Sequence, residues 1–333
     1  MIKRSIGMAL LAGLTVVGPG AAAQATPGHR GWPQAITAQA ESLHPEGVAW
    51  DPARRAFLVS SVRHGTVSVV HRDGTVTPLV DDPRMHSSFG VHVDAARGRI
   101  VVAYGDMGLD ADPSTGGTGV GVFDLATGRP RHVVELDPDS GDHVANDVAL
   151  DRRGNAYVTD TASDVIYRIA PDGRTSVFAQ DARFDAGDDI GVNGIVWHPR
   201  GFLLAVRYDT GTLFRIDLDD PGDVRTVRLP RPLVGGDGML MRRDGALVVV
   251  TNRLGAPGVD AVTVLRGFAS WSSAFEWRRV EPWPVSAPTT IASSPHGAYV
   301  LSGRLDVLLG GDTSDGFDLH RLSRPRMARG YSA

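Results

Sequence analysis

The stretch from Asn146 to Asp160, NDVALDRRGNAYVTD, combines an opening phrase (NDVALD), a polar turn (RRG) and the start of an apolar run (AYVTDT). The phrase returns as EGVAWD from Glu46, FGVHVD from Phe89, NGIVWH from Asn193, DGMLMR from Asp237 and TTIASS from Thr289, with starts 43 to 57 residues apart. Each copy is followed by its own turn and its own apolar run, such as FLVSSV, IVVAYG, FLLAVR or LVVVTN. Self-similarity at this period marks repeated supersecondary units.

Within a unit the residues alternate in strand fashion, and most units supply third and fourth runs as well, such as VIYRIAPDG and TSVFA. Turn pairs like Asp73-Gly74 and Asp172-Gly173 punctuate them. No helix-length amphipathic period appears, so the expected fold is all-β: a six-bladed β-propeller with four-stranded blades. The sixth unit lacks a fourth run. The segment QAITAQAE, residues 34–41, is expected to supply it beside the DLHRL run, closing the ring with an N-terminal strand. Two insertions, 105–119 and 303–316, join second to third strands, and as irregular loops they should overhang the channel mouth. The first carries Asp106, Asp110 and Asp112, but its spacing lacks the acidic repeat of an EF-hand and reads as a solvated lid.

Lys3 and Arg4 precede an apolar stretch from Ile6 to Val17, and Ala23-Gln24-Ala25 has the small-residue pattern of a cleavage site. Residues 1–25 are therefore expected to be a signal peptide, 34–324 the propeller and 325–333 a C-terminal tail, with the protein secreted or periplasmic. The apolar stretch is short for a bilayer span. With 34 Lys+Arg against 38 Asp+Glu the chain has a net charge of −4, and no basic patch invites nucleic acid. A small-molecule substrate, no membrane partner and a monomer are expected. Lys3 is the only lysine and there is no cysteine, which excludes from the mature chain a Schiff-base lysine, a thiol nucleophile and a disulfide framework.

The first strand of each propeller blade lines the central channel, so the residues opening the six phrases form a ring: Glu46, Phe89, Asn146, Asn193, Asp237 and Thr289. Two carboxylates and two amides converge there with no lysine or arginine among them, and they would repel or stay unsatisfied unless a cation lay between them. Taken singly, Asn146-Asp147, Asn193-Gly194 and Asp237-Gly238 are ordinary turn dipeptides. Their common register favours a metal site. Oxygen donors suit Ca²⁺ first, then Mg²⁺ or Mn²⁺, ahead of Zn²⁺.

These phrases resemble the senescence marker protein (regucalcin) and gluconolactonase family of six-bladed propellers, most clearly in EGVAWD, NDVALDRRGNAYVTD, NGIVWHPRG and GGDGMLMRRDG. The resemblance implies that Glu46, Asn193 and Asp237 are metal ligands and that Asn146 is a fourth ligand or a substrate contact. It also implies hydrolysis of a lactone or related ester, with a cation polarising the carbonyl. Asp237 is then a candidate to deprotonate the attacking water or to attack directly, although a bound cation weakens it as a base. His44, His86 and His143 precede ring positions in blades one to three and could supply a base, a substrate contact or a second metal site; His143 and His86 are taken with Asp237 and Asn146 as the catalytic candidates. His92 is expected to be a satisfied histidine between blades. Val144 replaces the family's sugar-binding arginine, and Phe89 stands where paraoxonase-like members have histidine, which favours a more apolar acyl substrate. Arg63, Arg207 and Arg253 could hold an anion. Two other readings stay open: a metal-stapled propeller that only binds a small molecule or protein, and a non-hydrolytic member of secondary metabolism.

Overall fold

The computed structural model describes residues 31–106, 108–109, 117–136 and 143–323. The expected leader, the tail, Asp110 and Asp112 lie outside the described residues. Six four-stranded antiparallel sheets follow one another along the chain, five of them built from four consecutive strands. The innermost strands are Val48–Asp51, Ser87–Asp94, Ala145–Leu150, Val192–His198, Gly236–Met241 and Pro288–Ser294. Blade three shows the unit that the repeat predicts: Ala145–Leu150, Ala156–Asp160, Val165–Ile169 and Thr175–Gln180. The fold is a six-bladed β-propeller, as the spacing requires.

Apolar layers lie between successive blades. Between blades one and two, Leu58, Val67 and Val69 meet Val91, Ile100, Val102 and Phe123, and between four and five Leu204, Val206 and Leu213 meet Leu247, Val249 and Trp271. The last interface closes with aromatic rings: Phe57 lies 5.0 Å from Trp50 and 5.1 Å from Tyr299. Edge-on and tilted contacts of this kind add to simple area burial.

The ring is fastened covalently nowhere; it is fastened by strand pairing. Ala35–Gln39 runs antiparallel to Gly316–Arg321, with Ile36 opposite Leu319 and Ala38 opposite Phe317. The strand alternates, with Ile36 and Ala38 buried and Ala35, Thr37 and Gln39 exposed, so its apolar half completes the sixth blade. Tyr299 Oη donates to the Pro33 carbonyl (2.6 Å) and Thr37 Oγ1 to Asp318 Oδ1 (2.6 Å). The expected closure by residues 34–41 is thus found. Among the described residues no helix is long and apolar enough to cross a membrane.

Closing the ring this way makes the N-terminal strand a stability determinant. Ile36→Asp places an unpaired charge in the sixth blade and is expected to cost about 3–5 kcal/mol. Ala35→Asp, one residue away on the exposed face, should shift stability by no more than about 0.5 kcal/mol. Urea unfolding of the two variants checks this, and equal midpoints would refute it.

Candidate metal centre and its surroundings

In five blades the pairing of first and second strands breaks at one place, between Ser88 and Val91, Ala145 and Val148, Val192 and Ile195, Gly236 and Met239, and Pro288 and Ile291. Each gap holds two residues, the ring residue and its successor. In blade one the strand begins at Val48, just after Glu46-Gly47. A bulge frees a strand locally from its ladder and re-aims a side chain, and here it does so at the same height in blade after blade.

The successors are Gly47, Gly90, Asp147, Gly194, Gly238 and Thr290. A Cβ on Gly47 would stand 2.2 Å from the Phe89 carbonyl oxygen, and one on Gly194 2.0 Å from that of Asp237. At Gly47 and Gly194 the neighbouring first strand therefore approaches too closely for any other residue. Blade six closes on blade one through Thr289 Oγ1, which donates to the Glu46 carbonyl (2.7 Å).

Glu46, Asn146, Asn193 and Asp237 are only 5–8 % exposed. One side-chain oxygen on each, Glu46 Oε2, Asn146 Oδ1, Asn193 Oδ1 and Asp237 Oδ1, is buried with no hydrogen-bond partner. The second oxygen of Asp237 accepts from Asn252 Nδ2 (2.7 Å), which also donates to the Pro288 carbonyl (2.9 Å). Tyr208 Oη in turn bonds to Asn252 Oδ1, so the amide cannot flip without losing its partners. Four orphaned buried oxygens, two from carboxylates and two from amides, are a donor set that fits a hard divalent cation. Among the described residues no three His, Cys, Asp or Glu side chains come together as a metal-binding group, so an ion here would lean on the two amides as well as on the two carboxylates.

Asp147, in sequence half of a turn dipeptide, belongs to this centre. Its Oδ1 accepts from the Val148 N–H (2.8 Å) and its Oδ2 from the Ile195 N–H of the next blade (3.0 Å). The signal was present in the repeat: a carboxylate stands where four other copies carry glycine. Burial raises Glu46 well above the usual carboxylate range, helped by the Asp237 and Asp147 charges. Burial likewise pushes Asp237 up to about 8, against the pull of the Asn252 bond, and Asp147 up to about 7.

The histidines part company. His143 Nδ1 meets Asp160 Oδ2 at 2.6 Å at the entrance to blade three. His86 is half-buried just ahead of Ser87–Asp94. His44, expected as a candidate base, substrate contact or metal ligand, is instead buried as a staple: Nε2 accepts from the Ser314 N–H (3.0 Å) and Nδ1 faces the Arg304 carbonyl (3.1 Å). Both nitrogens are committed to the 303–316 segment. His92 corrects a second expectation. It lines the lower channel with no hydrogen-bond partner among the described residues, and burial lowers its pKa to about 4.

The 303–316 segment is not wholly irregular as expected; it holds a short helix, Leu305–Leu309. Five residues are too few to show a helical period in a sequence. Leu305 and Leu308, one turn apart, pack with Val62 and Phe89, and Leu109, Val144 and Leu254 join them. This apolar cap draws on five blades and covers the ring from the mouth side. Below the ring, the channel widens into a cavity of 820 Å³, reached by Glu46 and Asp147 and walled by Trp50, His92, Met239 and Ile291. Of the three candidate anion-binding arginines, Arg63 donates to the Leu109 carbonyl (3.1 Å) and Arg207 grips Asp209 with two bonds (2.6 and 2.7 Å). Arg253 borders a 220 Å³ pocket with Asp260 and Asp306. Asp106 Oδ1 accepts from the Gly108 N–H (2.7 Å).

A family model described as the SMP-30/gluconolactonase/LRE-like region matches residues 44–262, from the residue stapling the first blade into the fifth. The chain belongs to that family. No curated protein matches it by sequence. Among solved structures, the major allergen Mala s 1 of Malassezia sympodialis is 20% identical with a TM-score of 0.71, over 87% of this chain and 96% of that one. A gluconolactonase of Xanthomonas campestris is 19% identical (TM-score 0.60; 87% and 89% covered). An aldose sugar dehydrogenase of Streptomyces coelicolor, in its PQQ-bound form, is 15% identical (TM-score 0.60; 86% and 98% covered). These likenesses establish a shared fold, and their differing activities mean that for an SMP-30/gluconolactonase/LRE-like chain the site has to carry the functional argument.

The raised carboxyls set the sign of a pH dependence. A carboxyl whose folded pKa exceeds its unfolded value, about 4, favours folding below the unfolded pKa, and that contribution is lost as pH rises through the folded pKa. For Asp147 and Asp237 the loss runs through about 7 and about 8. Histidines with lowered pKa, such as His92, act in the opposite sense but only below their unfolded value of about 6.5. The Tm of chelator-treated protein should therefore fall between about pH 6.5 and 8.5, and added Ca²⁺ should raise it most at the alkaline end. A chelated Tm that climbs across this interval would contradict the assignment.

Proposed function

We propose that the protein is an exported, metal-dependent hydrolase of lactones or related esters, with Glu46, Asn146, Asn193 and Asp237 holding a divalent cation, Ca²⁺ first. The observation that carries the reading is the set of four buried oxygens without partners, one on each of these residues. Membership of the SMP-30/gluconolactonase/LRE-like family supports it. Export rests on the Lys3-Arg4 start, the apolar stretch after it and the Ala23-Gln24-Ala25 pattern.

When bound, the cation supplies Lewis-acid polarisation of the substrate carbonyl. The chain's own residues do the rest. Asn252 fixes the Asp237 carboxylate by its 2.7 Å bond, so that its free oxygen keeps one orientation. Asp237 and Asn146 position the acyl group, and His143 at the entrance to blade three accepts the proton of the attacking water. The cap residues Phe89, Val144, Leu305 and Leu308 exclude solvent and favour an apolar acyl chain over a sugar acid.

One observation favours a second reading, a propeller stapled by its ion for binding alone. The cap buries Phe89 and Val62 to within 2 % of full coverage, which restricts access from the mouth.

Asp237→Asn and Asn146→Ala separate the two. Under the hydrolase reading both fold and still take up Ca²⁺, though more weakly, and at saturating Ca²⁺ kcat/KM for phenyl acetate or a δ-lactone falls by about 10²–10³. Hydrolysis by the native protein should vanish on chelation and return with Ca²⁺. Bound metal without turnover of any lactone or ester would replace the hydrolase by the stapled binding protein.

A further inference from the structure

We infer that Asp160 is a positioning residue that sets the tautomer of His143 and so makes its Nε2 a proton acceptor at the channel mouth. This rests on the hydrolase reading given above. Asp160 ends the strand Ala156–Asp160 and is fully buried. Its Oδ1 accepts from the Val144 N–H (2.9 Å) and the Ala162 N–H (3.2 Å), and its Oδ2 lies 2.6 Å from His143 Nδ1. Among the described residues no arginine forms an ion pair with it, so His143 is its one ionisable partner.

An ionised carboxylate only accepts hydrogen bonds. With Oδ1 taken by two backbone donors, Oδ2 receives the proton of Nδ1, and the neutral ring is left with a bare lone pair on Nε2. That nitrogen has no partner among the described residues, and the His143 side chain is 16 % exposed. His44 cannot serve in this way, since both its nitrogens are occupied in holding the 303–316 segment. His143 also sits three residues before Asn146, on the segment that Asp160 pins through Val144.

The reaction served is hydrolysis. The water oxygen bonds to the carbonyl carbon as its proton passes to Nε2, the carbon–oxygen bond to the leaving alkoxide breaks, and Nε2 returns the proton to that alkoxide. A lactone thus opens to its hydroxy acid. Throughout, the buried carboxylate holds the ring in place and stabilises it while it carries the positive charge.

Asp160→Asn tests the assignment. The amide oxygen can still accept from Val144 and Ala162, but the amide nitrogen must donate to Nδ1, which forces the proton onto Nε2. Against phenyl acetate and δ-valerolactone we expect kcat to fall about 10²–10⁴-fold with KM changed by no more than about twofold. His143→Gln should match that loss, and combining the two changes should add little. Nitrogen-15 NMR of the native protein at pH 8 should show His143 protonated on Nδ1, and the Asp160→Asn variant should show it protonated on Nε2. Native turnover with a folded Asp160→Asn variant of unchanged kcat overturns the positioning role and leaves the hydrolase reading intact. Should the native protein hydrolyse neither substrate, the hydrolase reading fails; an Nδ1–H signal then still upholds the Asp160–His143 pairing, whereas an Nε2–H signal overturns it. If Asp160→Asn fails to fold, the native tautomer and the His143→Gln kinetics decide.

Discussion

Oxygen crowding at the propeller axis is the constraint on which the structure turns. Glu46, Asn146, Asn193 and Asp237 bring buried oxygens together without a hydrogen bond to quench them, and Asp147 adds a further carboxylate nearby. Burying such groups unpaired is expensive. Either the carboxyls take up protons, as the upward shifts of Asp237 and Asp147 describe, or a cation resolves the crowding. The second solution turns a cost of folding into a binding site.

The surrounding architecture makes the crowding unavoidable. Bulges step the ring residues out of their ladders at one height, and glycines at the next position let adjacent strands touch. Thr289 locks the sixth strand to the first, while Ala35–Gln39 seals the outer edge of the same blade. Aromatic and aliphatic layers between blades then hold the inner strands rigid. A site mounted on six strands held from both edges is preorganised by the fold rather than by its ligand.

How much of this was legible in the sequence depended on the period of each signal. The six phrases repeat at blade length, so the number of blades and the four oxygen-bearing ring positions could be read from register, and the closure by residues 34–41 from the missing fourth run of the sixth unit. Asp147 could have been read by the same device, as the carboxylate at a glycine position, but as a dipeptide with Asn146 it looked like a turn. Features without a period were lost. The helix Leu305–Leu309 is one turn long, and the cap it forms gathers residues from five blades that share no spacing. The fates of His44 and His92 were equally hidden, since a staple to Ser314 and an unpartnered place in the lower channel depend on which way a ring points. Asp160 appeared only as the last letter of a strand until its carboxylate was seen against His143.

The central claim, that four named side chains hold one divalent cation on the axis, is tested most directly by anomalous diffraction from crystals of the protein loaded with Mn²⁺ or a lanthanide. The account predicts a single strong peak on the channel axis, at about 2.3–2.6 Å from oxygens of Glu46, Asn146, Asn193 and Asp237. An ion bound elsewhere, or an axis holding only water while those carboxyls stay protonated, would contradict it.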